Sequence, residues 1–385
     1  MRTLDILDRL IAFPTVSRSS NRELISFVGQ LFTDAGITWE LAESVDGTRA
    51  NLYATIGPLD RGGVMLSGHT DVVPVTGQAW SRDPFTLHIE DGLCYGRGTA
   101  DMKGFVAAVI SAARAAAGRD LKSPLHLAFS YDEEIGCVGV RRLIDILAPR
   151  AVRPAMAIIG EPTGMRIATG HKGKVALQAS CHGHAGHSAL APKALNALHM
   201  GADFINVLRH EQDHLAEKGA QDHDYDVPYS TIHAGVMRGG EALNIVPDRC
   251  QIDFEIRNLA EDDSRAILAR IEKGAENIVA PLRRQFPTAN IAIEEVNAYP
   301  GLNTPDHAEI VALVRSITDA GADSFKVAFG TEAGLFDALL GVPAVICGPG
   351  FMDQGHKPDE FIALEQLNAC DAMLARLIDR LEVGL

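Results

Sequence analysis

The chain has 385 residues, 46% of them apolar, and 35 basic against 50 acidic side chains give a formal charge of -15. That length exceeds one ordinary core and implies about two domains at roughly 150 residues each, in a soluble globular protein. The acidic balance and the lack of any basic tract exclude a sequence-independent nucleic-acid surface.

Asp5, Asp8 and Arg9 interrupt what would be the apolar stretch of a secretory signal, and no apolar run approaches the roughly 18 residues needed to span a bilayer. A cytoplasmic protein without membrane contact is expected. Cys94, Cys137, Cys181, Cys250, Cys347 and Cys370 are dispersed with no Cys-x-x-Cys pair, and they read as small core residues in a reducing compartment.

Asn21 followed by Leu24, Phe27, Val28, Leu31 and Phe32 predicts a capped amphipathic helix ending at Gly36. Residues 51–56 and 63–67 predict strands, and the Ala-rich run 105–117 predicts a helix. Short apolar runs at 124–129, 155–159 and 343–347, bounded by Gly or Pro, predict further buried strands. This alternation predicts an α/β fold with a mostly parallel sheet. From Lys174 the order becomes strand (175–181), helix (196–208), strand (231–236), strand (250–256), helix (264–279), strand (291–296). That is the ferredoxin-like βαββαβ order. A discontinuous catalytic domain, 1–173 plus 298–385, is therefore expected to carry an inserted domain, 174–297.

Four of the strands in the larger domain end on His or carboxylate groups. His69 and Asp71 follow one, Asp132-Glu133-Glu134 another, Glu161 in Gly160-Glu161-Pro162 a third, and His356 lies just beyond Gly348-Pro349-Gly350. Asp101 stands before a helix, where capping its N-terminus is the plain alternative. Sites in open α/β sheets form outside the carboxyl ends of the strands, so these groups point to a metal centre. Asp101, Glu134 and Glu161 with a shared hydroxide carry four negative charges, which two divalent cations balance. His69 and His356 complete the shells, and nitrogen plus carboxylate donors without thiolate suit zinc, with cobalt or manganese as substitutes. Asp71 is placed to accept a hydrogen bond from the other ring nitrogen of His69. Glu133 is left as a free carboxylate suited to general-base work.

The segments Gly68-His69-Thr70-Asp71, Gly98-Thr99-Ala100-Asp101-Met102-Lys103-Gly104, Asp132-Glu133-Glu134, Gly160-Glu161-Pro162 and Gly355-His356 resemble the dinuclear zinc amidohydrolase family. That family includes acetylornithine deacetylases, succinyl-diaminopimelate desuccinylases, aminoacylases and glutamate carboxypeptidases. The resemblance implies that Asp101 bridges two zinc ions, His69 and Glu161 hold one, Glu134 and His356 the other, and Glu133 is the base. It also implies a lid domain that dimerises. Gly186-His187-Ser188 resembles the family's lid histidine, which steadies the oxyanion, while Asn244 and Arg257 resemble its grips on the substrate carboxylate.

Ala12-Phe13-Pro14-Thr15-Val16-Ser17, Gly330-Thr331-Glu332-Ala333-Gly334 and His356-Lys357-Pro358-Asp359-Glu360-Phe361 look like the acetylornithine deacetylase branch. That branch hydrolyses N-acetylornithine to ornithine and acetate in arginine biosynthesis. Glu332 then becomes a candidate partner for a substrate ammonium, against a plain hydrogen bond within its own loop. Ser188-Ala189-Leu190-Ala191-Pro192-Lys193-Ala194 departs from the branch, which puts the substrate in question more than the chemistry. The alternatives are another N-acyl amino acid hydrolase, a dipeptidase-like enzyme, or a dimeric binding protein without catalysis. His210-Glu211-Gln212-Asp213-His214 fits the His-Glu-x-x-His protease signature, but it sits at the polar end of a helix and reads as a solvated helix end.

Overall fold

Continuously apolar runs bounded by Gly and Pro form strands that bury both faces, and a computed structural model describing residues 1–319, 321 and 323–385 shows where they go. The main strands are β1 (Trp39–Glu43), β2 (Ala50–Ile56), β3 (Val64–His69), β4 (Leu125–Ser130), β5 (Met156–Pro162), β6 (Lys174–His182), β7 (Thr231–Gly239), β8 (Arg249–Arg257), β9 (Asn290–Tyr299) and β10 (Ala344–Gly348). The helices used below are α1 (Arg22–Asp34), α2 (Gly104–Ala116), α3 (Ala197–Lys218), α4 (Ser264–Leu282) and α5 (Leu364–Val383).

One unit comprises Met1–Gly170, Leu302–Lys326 and Thr331–Leu385. Its sheet runs in the order β1-β2-β4-β3-β5-β10, with short strands beyond. The pairs β3·β4, β3·β5 and β5·β10 are parallel, whereas β1·β2 and β2·β4 are antiparallel. Every residue of β3, β4, β5 and β10 is buried. Phe105, Val106 and Val109 of α2 and Leu374 and Leu377 of α5 join Leu66, Leu127 and Ile158 in one core. Phe105→Ala there would cost about 3–5 kcal/mol.

Two local expectations change. Asn21 does not cap α1; its side-chain amide donates to the Ala50 carbonyl and its oxygen accepts the Ala50 amide, both at 2.9 Å. Pairing outward to the neighbouring strand consumes the groups a cap would use. Strand β5 continues through Glu161 to Pro162, because β10 stays paired alongside it up to Gly348↔Pro162.

The second unit comprises His171–Gly301 and Val327–Gly330. Its four strands are antiparallel in the order β7-β8-β6-β9. Val175, Leu177, Ala179 and Cys181 of β6 face Phe204 of α3 and Ile267 and Ile271 of α4 in a separate core. Helix α3 runs to Lys218, past the expected end at 208, because Leu215 is buried and Glu211 pairs with Arg270 of α4 at 2.7 Å. No helix among the described residues is long and apolar enough to cross a membrane.

Candidate metal centre

His69 closes β3 and is 1% exposed. Its Nδ1 donates to the main-chain carbonyl of Asp71 at 2.8 Å, which turns Nε2 toward Asp101 Oδ1 at 3.0 Å. The Asp71 carboxylate, expected to orient this ring, stands 3.6 Å from Nδ1 and is used otherwise. It accepts the amide of Glu133 at 3.0 Å, the amide of Glu134 at 3.4 Å and the Ser17 hydroxyl at 2.7 Å. The carbonyl lies nearer the ring edge than the carboxylate, so one residue sets the imidazole with its backbone and the Glu133-Glu134 turn with its side chain.

Asp101 does not cap a helix. Residues Thr99–Lys103 form a wide turn in which Asp101 has extended geometry (φ -123°, ψ 93°), followed by a cis Asp101-Met102 bond, and α2 begins at Gly104. Its two carboxylate oxygens face different imidazoles, Oδ1 to His69 Nε2 and Oδ2 to His356 Nε2, each at 3.0 Å. On the first side Glu161 Oε1 lies 3.8 Å from His69; on the second, Glu134 lies 3.1 Å from His356. The donor atoms of His69, Asp101 and Glu134 fall within 4.8 Å of one another, as do those of His69, Glu133 and Glu161.

Close backbone packing makes room for these groups. A Cβ on Gly348 would meet the Gly160 carbonyl oxygen at 2.0 Å, so β10 approaches the Glu161 segment only as glycine. His356 (φ 59°) and Asp132 (φ 54°) hold left-handed backbone, a conformation that costs non-glycine residues about 1–3 kcal/mol.

The electrostatics are those of a site needing positive charge. Burial, reinforced by Asp101, pushes the carboxyl of Glu134 up to about 7, and burial with Asp101 nearby raises Glu161 well above the usual range. Glu133 rises likewise, chiefly through burial, although His69 opposes it. Burial works against protonating His69, yet Asp101, Glu161 and Asp71 together outweigh it and raise its pKa. Hydrogen bonds to Asp101 and Glu134 lift His356 to about 10. Burial disfavours ionised Asp101, but the two imidazoles reverse that and lower it. Oxygen and nitrogen donors sharing buried negative charge fit divalent cations.

Glu332 is buried within electrostatic reach of Glu133, His69 and Asp71. It is 1% exposed, Ser67 of β3 donates to Oε2 at 3.3 Å, and the Ser130 hydroxyl also favours its ionised form. Burial raises its carboxyl to about 7. Its carboxylate takes its hydrogen bond from β3 rather than from its own loop.

Glu360 has no role in the sequence reading, yet it organises the Asp101 turn. Its carboxylate accepts the amides of Gly98, Ala100 and Asp101 at 3.0, 2.9 and 3.1 Å and the Arg97 guanidinium at 2.6 Å. The available signal was an acidic residue four positions after His356, in a segment already singled out.

In the second unit, His187 and Asn244 are brought together. Gly186-His187 pairs with Ile245-Val246, and the Ser188 amide donates to the Asn244 carbonyl at 3.0 Å. His187 Nδ1 accepts the Ala189 amide at 3.1 Å, which leaves Nε2 as the donor nitrogen of the neutral ring. Arg257 sits at the other end of β8, bonded to Glu255 at 2.9 Å and to the Tyr299 hydroxyl at 3.1 Å. His210 and His214 are exposed on α3, and Glu211 between them is taken by Arg270.

The description of peptidase family M20/M25/M40 matches residues 65–380. The chain is 33% identical to an acetylornithine deacetylase from Shigella sonnei, over 97% of this chain and 96% of that one. The chain belongs to peptidase family M20. Its fold is shared by an M20 metallo-carboxypeptidase from Sulfolobus solfataricus (TM-score 0.79, 19% identity, 100% of both chains). It is shared too by a dinuclear metal-binding M20 peptidase from Bacillus subtilis (TM-score 0.70, 14% identity, 100% of this chain and 98% of that one). The expected α/β fold and enzyme class are thus established: this is an M20 hydrolase that carries candidate metal-ligand groups.

Proposed function

We propose that this M20 hydrolase cleaves the amide bond of an N-acyl amino acid, with N-acetylornithine, giving ornithine and acetate, as the preferred substrate. One observation carries the reaction class: Asp101 presents each carboxylate oxygen to a different imidazole, with a further carboxylate on either side. Two divalent cations, zinc by donor type, fit there: His69 and Glu161 would hold one, Glu134 and His356 the other, and Asp101 both. Such ions acidify water and polarise a carbonyl.

The remaining work belongs to the chain. Glu133 takes a proton from the attacking water and returns it to the leaving amine. Its raised pKa, set by burial, suits both halves of that transfer. Asp71 fixes the Glu133 main chain, so the base is set by the same residue that sets His69. His187 is assigned to the oxyanion, a donor typically contributing about 100- to 1000-fold. Asn244 and Arg257 are assigned to the substrate carboxylate, which would displace Glu255 from the guanidinium.

Geometry within the second unit favours a homodimer. Arg249 pairs with His182 near the His187 end, and Arg257 lies eight residues further along β8. At about 3.4 Å per residue that separates Arg257 from the His187 end by roughly 27 Å. A small substrate cannot span it, so His187 and Asn244 would serve one site and Arg257 the other subunit's.

The test is a panel of N-acetyl, N-succinyl and N-formyl amino acids with dipeptides, scored for amine release with zinc and with cobalt. Preference for N-acetylornithine supports the reading. Preference for dipeptides favours a peptidase, consistent with the carboxypeptidase of like fold, and no turnover of any amide overturns it.

A further inference from the structure

Residues 133–137 fold back on themselves. The Glu133 carbonyl accepts the amides of Gly136 at 2.8 Å and Cys137 at 2.7 Å. Cys137 holds left-handed backbone (φ 54°), which no L-residue adopts without cost. The fold-back brings a 1% exposed thiol onto the carboxylate assigned as base, with Cys137 Sγ donating to Glu133 Oε1 at 3.3 Å. Burial and the neighbouring carboxylates of Glu133 and Glu332 keep the sulfur in its S–H form, a donor.

We propose that Cys137 is a positioning residue for Glu133: its thiol holds Oε1 so that Oε2 is presented to the water. The inference rests on Glu133 being the base. A carboxylate at the end of two rotatable carbons has many orientations, and proton transfer needs one of them. A thiol suits the task because it is a weak donor. A hydroxyl or amide in its place would stabilise the ionised carboxylate and lower its basicity; S–H supplies direction with little loss of base strength. The other cysteines are buried, but none is recorded bonding to a carboxylate assigned to the centre among the described residues.

Cys137→Ala and Cys137→Ser separate this role from packing. Losing one weak hydrogen bond to a charged acceptor predicts about a tenfold fall in kcat for Cys137→Ala. KM and bound metal should stay within about twofold of the parent if binding is untouched. Cys137→Ser, which keeps a donor on a shorter reach, should fall between the two. A kcat for Cys137→Ala matching the parent, or a serine variant no better than alanine, overturns the proposal. Should the alanine variant not fold, infrared spectroscopy gives a second reading without it. The most red-shifted S–H stretching band of the parent must move to higher frequency in Glu133→Ala, and an unmoved band overturns the contact. Glu133→Gln is assayed alongside. Near-parental activity there would refute the base assignment itself, a result distinct from any behaviour of Cys137.

Discussion

Two constellations of histidine and carboxylate occur in this chain, and they behave in opposite ways. At the carboxyl edge of the large sheet, His69, Asp101, Glu133 and Glu161 are buried, Glu134 is nearly so, and the groups are mutually close and shifted in pKa. At the polar end of α3, His210 and His214 stand in solvent, and Glu211 between them serves as a clamp to Arg270. Residue types alone do not separate the two, since the helix even matches a protease signature. Environment does. Unbalanced buried charge costs several kcal/mol per ion unless a partner, a ligand or protonation offsets it, whereas solvated histidines carry no such cost.

That contrast can be broken at several points. The largest expected effect is Glu133→Ala, which should lower kcat by about 100- to 10,000-fold while leaving metal binding intact; steady-state kinetics with metal analysis decides it. Next, Glu360→Gln should weaken metal affinity about 10- to 100-fold through misplacement of Asp101, read by titration against a competing chelator.

A smaller effect sharpens the role of environment. His126 is buried like His69, though less deeply, but has Tyr53, Thr55 and the Arg150 charge around it instead of carboxylates, and burial followed by Arg150 lowers its pKa to about 4. Between about pH 6.5 and 4 the unfolded chain takes a proton that the folded chain refuses, so stability falls as pH falls through that window. The loss is up to about 3 kcal/mol. Denaturation curves at both pH values should show it, and His126→Gln should remove that share of the slope. Smallest of all, His214→Ala should leave activity and metal content unchanged; a loss of either would end the distinction between the two constellations.

The strands and the alternation of the second unit were legible because period-two burial on β6 and β8 and unbroken apolar runs on β3, β4 and β5 are written locally. Most of the ligand candidates were legible because they follow such a strand; Asp101, in the turn before α2, was legible only through its neighbours. Partnerships among them were not. Asn21 carries a helix-capping side chain whose actual partner, Ala50, is 29 residues away. Glu332 looked like a loop carboxylate and bonds to Ser67, 265 residues earlier. Cys137 was one of six unremarkable cysteines until the reversal at 133–137 set its sulfur on Glu133. The first two bonds span separations that leave no periodic trace, and the third depends on a left-handed turn that residue types do not announce.

Glu360 has a consequence for how the protein matures. Because this carboxylate gathers the amides of the turn carrying Asp101, some 260 residues upstream, a growing polypeptide still short of position 360 holds that turn without its anchor and also lacks His356. On the proposed ligand assignment, ion capture at full affinity belongs after translation has passed this point, and a ribosome-tethered fragment ending near residue 340 should bind cations only loosely.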